Sequence, residues 1–457
     1  MTVSRTAKLP AGPRGHWLWG SLQERRKAPL EMLSRGFAEY GDVVSYQMAH
    51  LIRVILFAHP DHVKHIMVDH PTRYTKGPQL KNAEPLLGKG LLLAEGPLWK
   101  RQRRLAQPAF HRERINGLVD QMAKATSDLL RRWDAMPQGT VVDMGAEMMR
   151  LTLAIVARTL FSSDVTGETE ALGAAITTAM HETNKRVLSL NPLKLFLPTR
   201  ANREFNRALA VLDRAVLGII EARRRDANPP QDLLSMLMAA RDEDTGEAMS
   251  DRQLRDEVMT LFLAGHETTA NALTWTSWLL DRNPEVVERM RAEVDAVVGD
   301  RDPTAQDVRK LEYIGRVFEE GMRLYPPAWV IGRFVEEADE IGGYAVPKGS
   351  IVAVSPWVTH RHPAFWEDPE RFDPDRFLPE RSAKRPKLAY FPFGAGQRMC
   401  IGNTFAVMEG QLILAMLVRR YRFTSATGKA PVPIPLITLR PGEAPMRLER
   451  RAGAATA

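Results

Sequence analysis

The chain holds one cysteine, Cys400, in the stretch Phe393-Gly394-Ala395-Gly396-Gln397-Arg398-Met399-Cys400-Ile401-Gly402. A thiolate is a soft, strong ligand for a transition metal. To meet a flat macrocycle, the backbone on either side must come close to it. Gly394, Gly396 and Gly402 would supply conformations that a side chain forbids. A helix starting near Gly402 would point unpaired N–H groups back toward the sulfur and stabilise its charge. Phe393 can shield the sulfur from water, and Arg398 can pair with an acidic group of a ligand. Two plainer readings compete. A lone cysteine is often a small buried hydrophobe. A glycine-rich loop before a helix can also cradle a phosphate, but Met399 stands where the dinucleotide fingerprint wants glycine, and no βαβ unit surrounds it.

Three further groups have chemistry in their spacing. Ala264-Gly265-His266-Glu267-Thr268-Thr269 lies midway along the longest apolar helical pattern, where glycine and threonine are poorer helix formers than alanine. A hydroxyl bonded to the carbonyl one turn back can open the backbone there. The alternative is an Ala/Gly/Thr patch at a helix crossing. Glu320-Gly-Met-Arg323 puts acid and base on one helical face, which by itself suits an ordinary surface ion pair. Trp99 and Arg103 stand one helical turn apart, where indole N–H and guanidinium can both reach a carboxylate.

Together these segments resemble the cytochrome P-450 superfamily. Phe393, Gly396, Arg398, Cys400 and Gly402 match all five specified positions of its haem-loop signature; a chance match in such a chain is on the order of one in ten thousand. Glu320-x-x-Arg323 runs into Pro326-Pro327, and 372–377 carries a third arginine, Arg376. The resemblance implies haem b with Cys400 as the thiolate ligand and a buried structural triad of Glu320, Arg323 and Arg376. It implies contacts to the haem from Trp99, Arg103, Ala264, Arg333, Phe393 and Arg398, with Trp99 and the arginines on its propionates. Glu267 and Thr268 take the acid–alcohol positions of the oxygen-binding motif, with His266 a spectator. By position, Leu92, Ala264, Ala328, Val330, Leu436 and Ile437 should line the substrate pocket, with 187–197 nearby. They are mostly apolar, so a hydrophobic substrate is expected.

The implied activity is insertion of one atom of O2 into a fatty acid, a terpenoid or another lipophilic natural product. Thiolate ligation favours O–O cleavage. Electrons would come from a separate ferredoxin or flavodoxin with its reductase, docking on Lys100, Arg101, Arg104, Arg112 and Arg114, or else those residues form a merely solvated face. A peroxygenase or isomerase of the same fold, a thiolate-haem gas sensor without turnover and a haem-free binding protein remain alternatives.

These residues need a mainly helical scaffold with a smaller β portion. Apolar residues recur at helical spacing over 112–133, 203–226 and 251–280, and a further helix is expected over about 402–421. Runs at 43–47 and 52–57 read as a hairpin, those at 330–335, 344–346 and 351–354 as short strands, and 434–439 with 446–449 as a final strand pair. A single domain over 1–457 is expected, β-rich mainly at 40–60, 329–355 and 433–450, and helical mainly at 60–325 and 402–421.

The 457 residues carry 63 Lys and Arg against 55 Asp and Glu, a formal charge of +8 that does not select nucleic acid. No zinc-finger spacing or long basic tail supports such a role; His62, His65 and His70 fit no zinc motif. No window approaches the roughly 20 apolar residues of a bilayer crossing, and one cysteine forbids an internal disulfide, which agrees with a reducing cytoplasm. A soluble bacterial monomer is the expectation. Trp17, Leu18 and Trp19 could touch a membrane surface, but a patch beneath a core is the plainer reading.

Overall fold

The computed structural model describes residues 7–49, 51–163, 169–187, 197–242 and 246–451. The chain divides into two compact units, one of Met1–Pro78 with Glu319–Cys400, the other of Gln79–Phe318 with Ile401–Ala457. The mainly helical character with a smaller β portion is as expected.

In the first unit the strands Val43–Met48 and Ile52–Phe57 form the expected antiparallel hairpin. Ile52–Phe57 then runs parallel to Ile351–Val354, which pairs with Ile331–Val335, and Tyr74–Thr75 closes the five-stranded sheet. The β-branched runs suit a pleated, half-buried surface. Ile55, Phe57, Val335, Val352 and Val354 meet in one core with Phe391 and Ala395, so this sheet is the floor on which the cysteine loop is laid.

The second unit is dominated by the helix Asp251–Arg282. Ser250 and Gln253 close a capping box at its start, a device that stabilises by about 1 kcal/mol. Helix Met144–Phe161 lies against it: Thr152 Oγ1 donates to the His266 carbonyl at 3.0 Å. Among the described residues no helix is long and apolar enough to cross a membrane.

Three expectations change. The helical pattern over 112–133 is broken into Arg112–Asn116 and Val119–Asp134, with Gly117 and Leu118 between them. The 434–439 and 446–449 runs do not pair with each other. Pro433–Pro435 turns back through a tight bend onto Leu439–Pro441, because Leu436 N–H bonds to the carbonyls of both Ile434 and Thr438. Pro445–Arg450 pairs instead with Val141–Asp143 and Tyr421–Ser425. Finally, Trp17, Leu18 and Trp19 lie beneath no core; all three are exposed.

Candidate active site

The cysteine loop is a tight fold of backbone. Gly394 and Gly396 have φ of 72° and 65°, in the region that glycine alone enters without strain. A Cβ on Gly396 would stand 2.1 Å from the Met67 carbonyl oxygen, so the loop is pressed onto the preceding chain. Gly402 behaves otherwise. Its φ is −91° and it is the N-cap of Asn403–Arg420, so the conformational argument made for it fails; an added Cβ would meet only Phe110 at 3.8 Å. The Cys400 N–H donates to the Phe393 carbonyl at 2.9 Å, closing the loop, and the thiol is exposed. Phe393 and Arg398 are half-buried on the same loop, and Arg333 is half-buried on the sheet beneath it.

The predicted triad is assembled within this unit. Arg323 grips Glu320 in a two-pronged pair, Nε to Oε2 at 2.6 Å and Nη2 to Oε1 at 2.8 Å. Arg376 Nε stands 3.4 Å from Glu320 Oε1. All three side chains are buried. Arg323 also donates to the carbonyls of His360, Pro369 and Arg371, which ties the helix Glu312–Leu324 to the 360–371 segment.

His360, which the sequence did not single out, carries this network to the cysteine loop. Its Nε2 accepts from the Phe391 N–H at 2.9 Å, and the Phe391 carbonyl accepts from Gly394 N–H at 3.0 Å. Burial, reinforced by the cations Arg323 and Arg361, holds the imidazole well below its ordinary pKa of 6.5. An unfolded chain would therefore bind a proton below about pH 6.5 that the native state refuses, so stability falls as pH is lowered through that value. His360→Gln should flatten part of that slope in denaturation midpoints measured between about pH 7.5 and 5. His266 and His62, also depressed by burial, act in the same direction. An unchanged slope would remove His360 from this account.

In the second unit, Ala264 is exposed and Gly265 and Thr268 are half-buried on a helix whose positions 261–263, 266–267 and 269–277 are buried. Ala264 and Thr268 stand four apart on one face, so a single stripe of this core helix opens to solvent. Thr268 Oγ1 donates to the Ala264 carbonyl at 2.9 Å, yet the helix continues unbroken from Asp251 to Arg282; no opened turn accompanies the bond. Gly265 answers to packing: a Cβ there would lie 3.0 Å from Val156 on the crossing helix. The helix-crossing reading of the segment thus holds at Gly265, whereas the backbone opening expected from the Thr268 hydroxyl does not occur. His266 is buried with Nδ1 2.8 Å from the Phe262 carbonyl, away from the open stripe.

Glu267 is fixed by partners that the sequence did not reveal. Its Oε1 accepts from Thr438 Oγ1 at 2.6 Å and from Arg440 Nε at 2.7 Å, both on the 433–441 hairpin. Its Oε2 is buried with no hydrogen-bond partner among the described residues. The next acid, Glu409 on Asn403–Arg420, is fully buried with the Thr269 hydroxyl as its polar neighbour, and burial pushes its carboxyl well above the ordinary range.

Trp99 and Arg103 line an open cleft of about 390 Å³ with Lys100, Arg104, Gln107, Pro108 and His111. Leu91, Ala94, Trp99 and Ile401, the residue after Cys400, pack into one apolar cluster. The basic docking run is only partly available, because Arg101 and Arg104 both turn to Asp242, at 3.3 and 3.0 Å. Lys100, Arg112 and Arg114 are exposed. Of the pocket candidates, Ala328 and Val330 are half-buried in the first unit; Leu92 is exposed and Leu436 and Ile437 half-buried in the second. The 188–196 part of the 187–197 stretch lies outside the described residues.

Each unit by itself carries features that a thiolate-held macrocycle with two carboxylates would require: a glycine-framed exposed thiol in the first, and in the second an open stripe at Ala264 and Thr268 and an indole and guanidinium lining a cationic cleft. The family model for cytochrome P450 matches residues 10–444. The chain belongs to the cytochrome P450 family. It is 38% identical over 454 residues to cyclooctatin synthase of Streptomyces melanosporofaciens, covering 97% of each chain. It is 34% identical to that organism's cyclooctat-9-en-7-ol 5-monooxygenase, over 92% of this chain and 93% of the relative. The crystal structure of the cytochrome P450DA heme domain superposes with a TM-score of 0.88 at 29% identity, covering 98% of both chains. As a P450 with monooxygenase relatives, the chain is an oxidoreductase that incorporates oxygen. Its cofactor is haem held through a cysteine thiolate, and it requires O2, an organic substrate and a source of electrons.

Proposed function

We propose that this P450 inserts one atom of O2 into a lipophilic terpenoid, a cyclic hydrocarbon or its alcohol, using haem b ligated by Cys400. The observation that carries this reading is the open stripe at Ala264 and Thr268 beside a buried, ion-paired Glu267. The relatives' names supply the substrate class, and the largely apolar candidate pocket residues agree with it. The bound haem supplies dioxygen activation, with the thiolate favouring O–O cleavage.

The residues of this chain have separable tasks. Phe393, on the same loop, would shield the ligated sulfur from water. Trp99 and Arg103 of the second unit and Arg333 and Arg398 of the first would supply donors for the propionates, and Ala264 would keep the helix face low enough for a flat ligand. Thr268 presents a hydroxyl that can donate or accept. Glu267, anchored through Oε1, offers Oε2 as a station for a proton entering from solvent. The pairing of acid and alcohol supports oxygen-dependent turnover over the peroxide-using, isomerising and sensing alternatives. The chain acts as a monomer with a ferredoxin or flavodoxin and its reductase, docking on the exposed Lys100, Arg112 and Arg114.

The test has two parts. A panel of polycyclic terpene alcohols should shift the haem spin state on binding and yield monooxygenated products with a supplied ferredoxin pair. Thr268→Ala should keep substrate binding but lower product per electron consumed by about tenfold, with hydrogen peroxide making up the difference. Unchanged coupling would remove Thr268 from proton handling; spin-state shifts only with fatty acids would overturn the terpenoid assignment.

A further inference from the structure

Residues 16–19 form a tight, pinned loop. His16 and Gly20 exchange backbone hydrogen bonds at 3.0 and 2.7 Å, and His16 Nδ1 stands 3.2 and 3.3 Å from the N–H groups of Leu18 and Trp19. Gly15 and Gly20 both have positive φ, and a Cβ on Gly20 would stand 2.0 Å from the Gln47 carbonyl oxygen. Ser21 N–H bonds to that same carbonyl at 2.8 Å, and Ala49 N–H bonds to the Trp19 carbonyl at 3.0 Å. The loop is thus stitched to the turn of the first hairpin.

This rigid loop presents its apolar side chains outward. Trp17 is 79% exposed, Leu18 and Trp19 43% each, and Leu51 on the adjoining turn 75%. No other three consecutive large apolar residues are all exposed among the described residues. Isolated exposed leucines are ordinary, but a contiguous apolar patch marks an interaction site. Between residues 7 and 28 the sequence has five cations, Lys8, Arg14, Arg25, Arg26 and Lys27, against one acid, Glu24. That acid is paired with Arg35. Lys8, Arg14, Arg26 and Lys27 are exposed.

We propose that this corner of the first unit docks peripherally on an anionic lipid bilayer, with Trp17, Leu18, Trp19 and Leu51 entering the headgroup region. Tryptophan suits that zone because its ring is apolar and its N–H remains hydrogen-bonded. The exposed cations that flank the loop in sequence, Lys8, Arg14, Arg26 and Lys27, match the negative surface potential of anionic lipid. A second copy of the chain fits less well: four side chains are few beside the roughly 20–30 residues a side of a stable protein interface.

The holoprotein should be sedimented with vesicles of phosphatidylcholine alone and with phosphatidylglycerol mixed in. Binding should be at least about tenfold stronger to the anionic vesicles and should weaken with salt. Replacing Trp17→Ser, Leu18→Ser and Trp19→Ser together should lower binding by about tenfold or more while leaving the haem absorption spectrum unchanged. Leu51→Ser, on the separate hairpin turn, should lower it by a smaller factor and serves if the triple variant does not fold. Equal binding to both vesicle types, no binding to either, or unaltered binding in a folded variant overturns the proposal. So does a concentration-dependent dimer that the same substitutions dissociate.

Discussion

Cys400→His should abolish the strongly red-shifted Soret band that the reduced wild-type protein gives with carbon monoxide, and leave at most an imidazole-type band in its place. The single cysteine leaves no second thiolate to substitute. The loop around it is closed by the Cys400 N–H bond to Phe393 and by two glycines at positive φ, none of which needs the sulfur. The variant should therefore fold, and the loss should be one of electronics. Neutral imidazole does not push electron density onto the metal as thiolate does. Product formation should fall by about a hundredfold or more, about 3 kcal/mol of barrier. A variant that kept the red-shifted band would show that Cys400 is not the ligand. Wild-type protein that takes up no haem on reconstitution would contradict the cofactor itself.

The cysteine loop and the Glu320–Arg323 pair were legible because their chemistry is local, glycine at two strained positions and acid and base three residues apart on one helical face; that the pair is buried and joined by Arg376 came only from the resemblance. The hairpin 43–57 and the helix Asp251–Arg282 were legible for the same reason, since period-2 and helical patterns are written in consecutive residues. What stayed hidden depends on distant partners. Glu267 stood out as an acid, but nothing near it foretold Arg440 and Thr438, more than 170 residues away. His360 belongs to no motif, and only the fold brings it under Phe391. Glu409 sits in an apolar helical pattern where an acid is expected at the surface, and packing put it inside. The Trp17–Trp19 patch failed as a core assignment because composition reports how apolar a residue is and not which way a stitched loop points it. Gly402 failed similarly: its φ of −91° is open to any residue, and its place in the same loop as Gly394 and Gly396 had brought it into the conformational argument.

Breaking the buried triad should reveal which of its members can discharge itself. Glu320→Leu leaves the guanidinium groups of Arg323 and Arg376 buried without their carboxylate, and arginine does not deprotonate in proteins. Removing one partner of such a pair costs about 3–5 kcal/mol, a large share of the roughly 5–15 kcal/mol that holds a domain folded. The yield of folded protein should fall. Arg323→Met breaks the same pair but leaves an acid, and an acid can take up a proton. Burial already pushes the Glu320 carboxyl above its ordinary value of 4.5, with Arg323 the leading influence holding it down. Without Arg323 the carboxyl should rise further and be neutral in the native state. Its native form would then hold a proton that the unfolded chain releases above about pH 4.5, so the stability of Arg323→Met should decline as pH rises from there. Glu320→Leu, with no carboxyl at that position, should show no such decline. Denaturant midpoints of the two variants across acidic to neutral pH read the difference directly; parallel curves would mean that Glu320 stays ionised without Arg323, held by Arg376 at 3.4 Å and the Asp373 N–H at 2.9 Å.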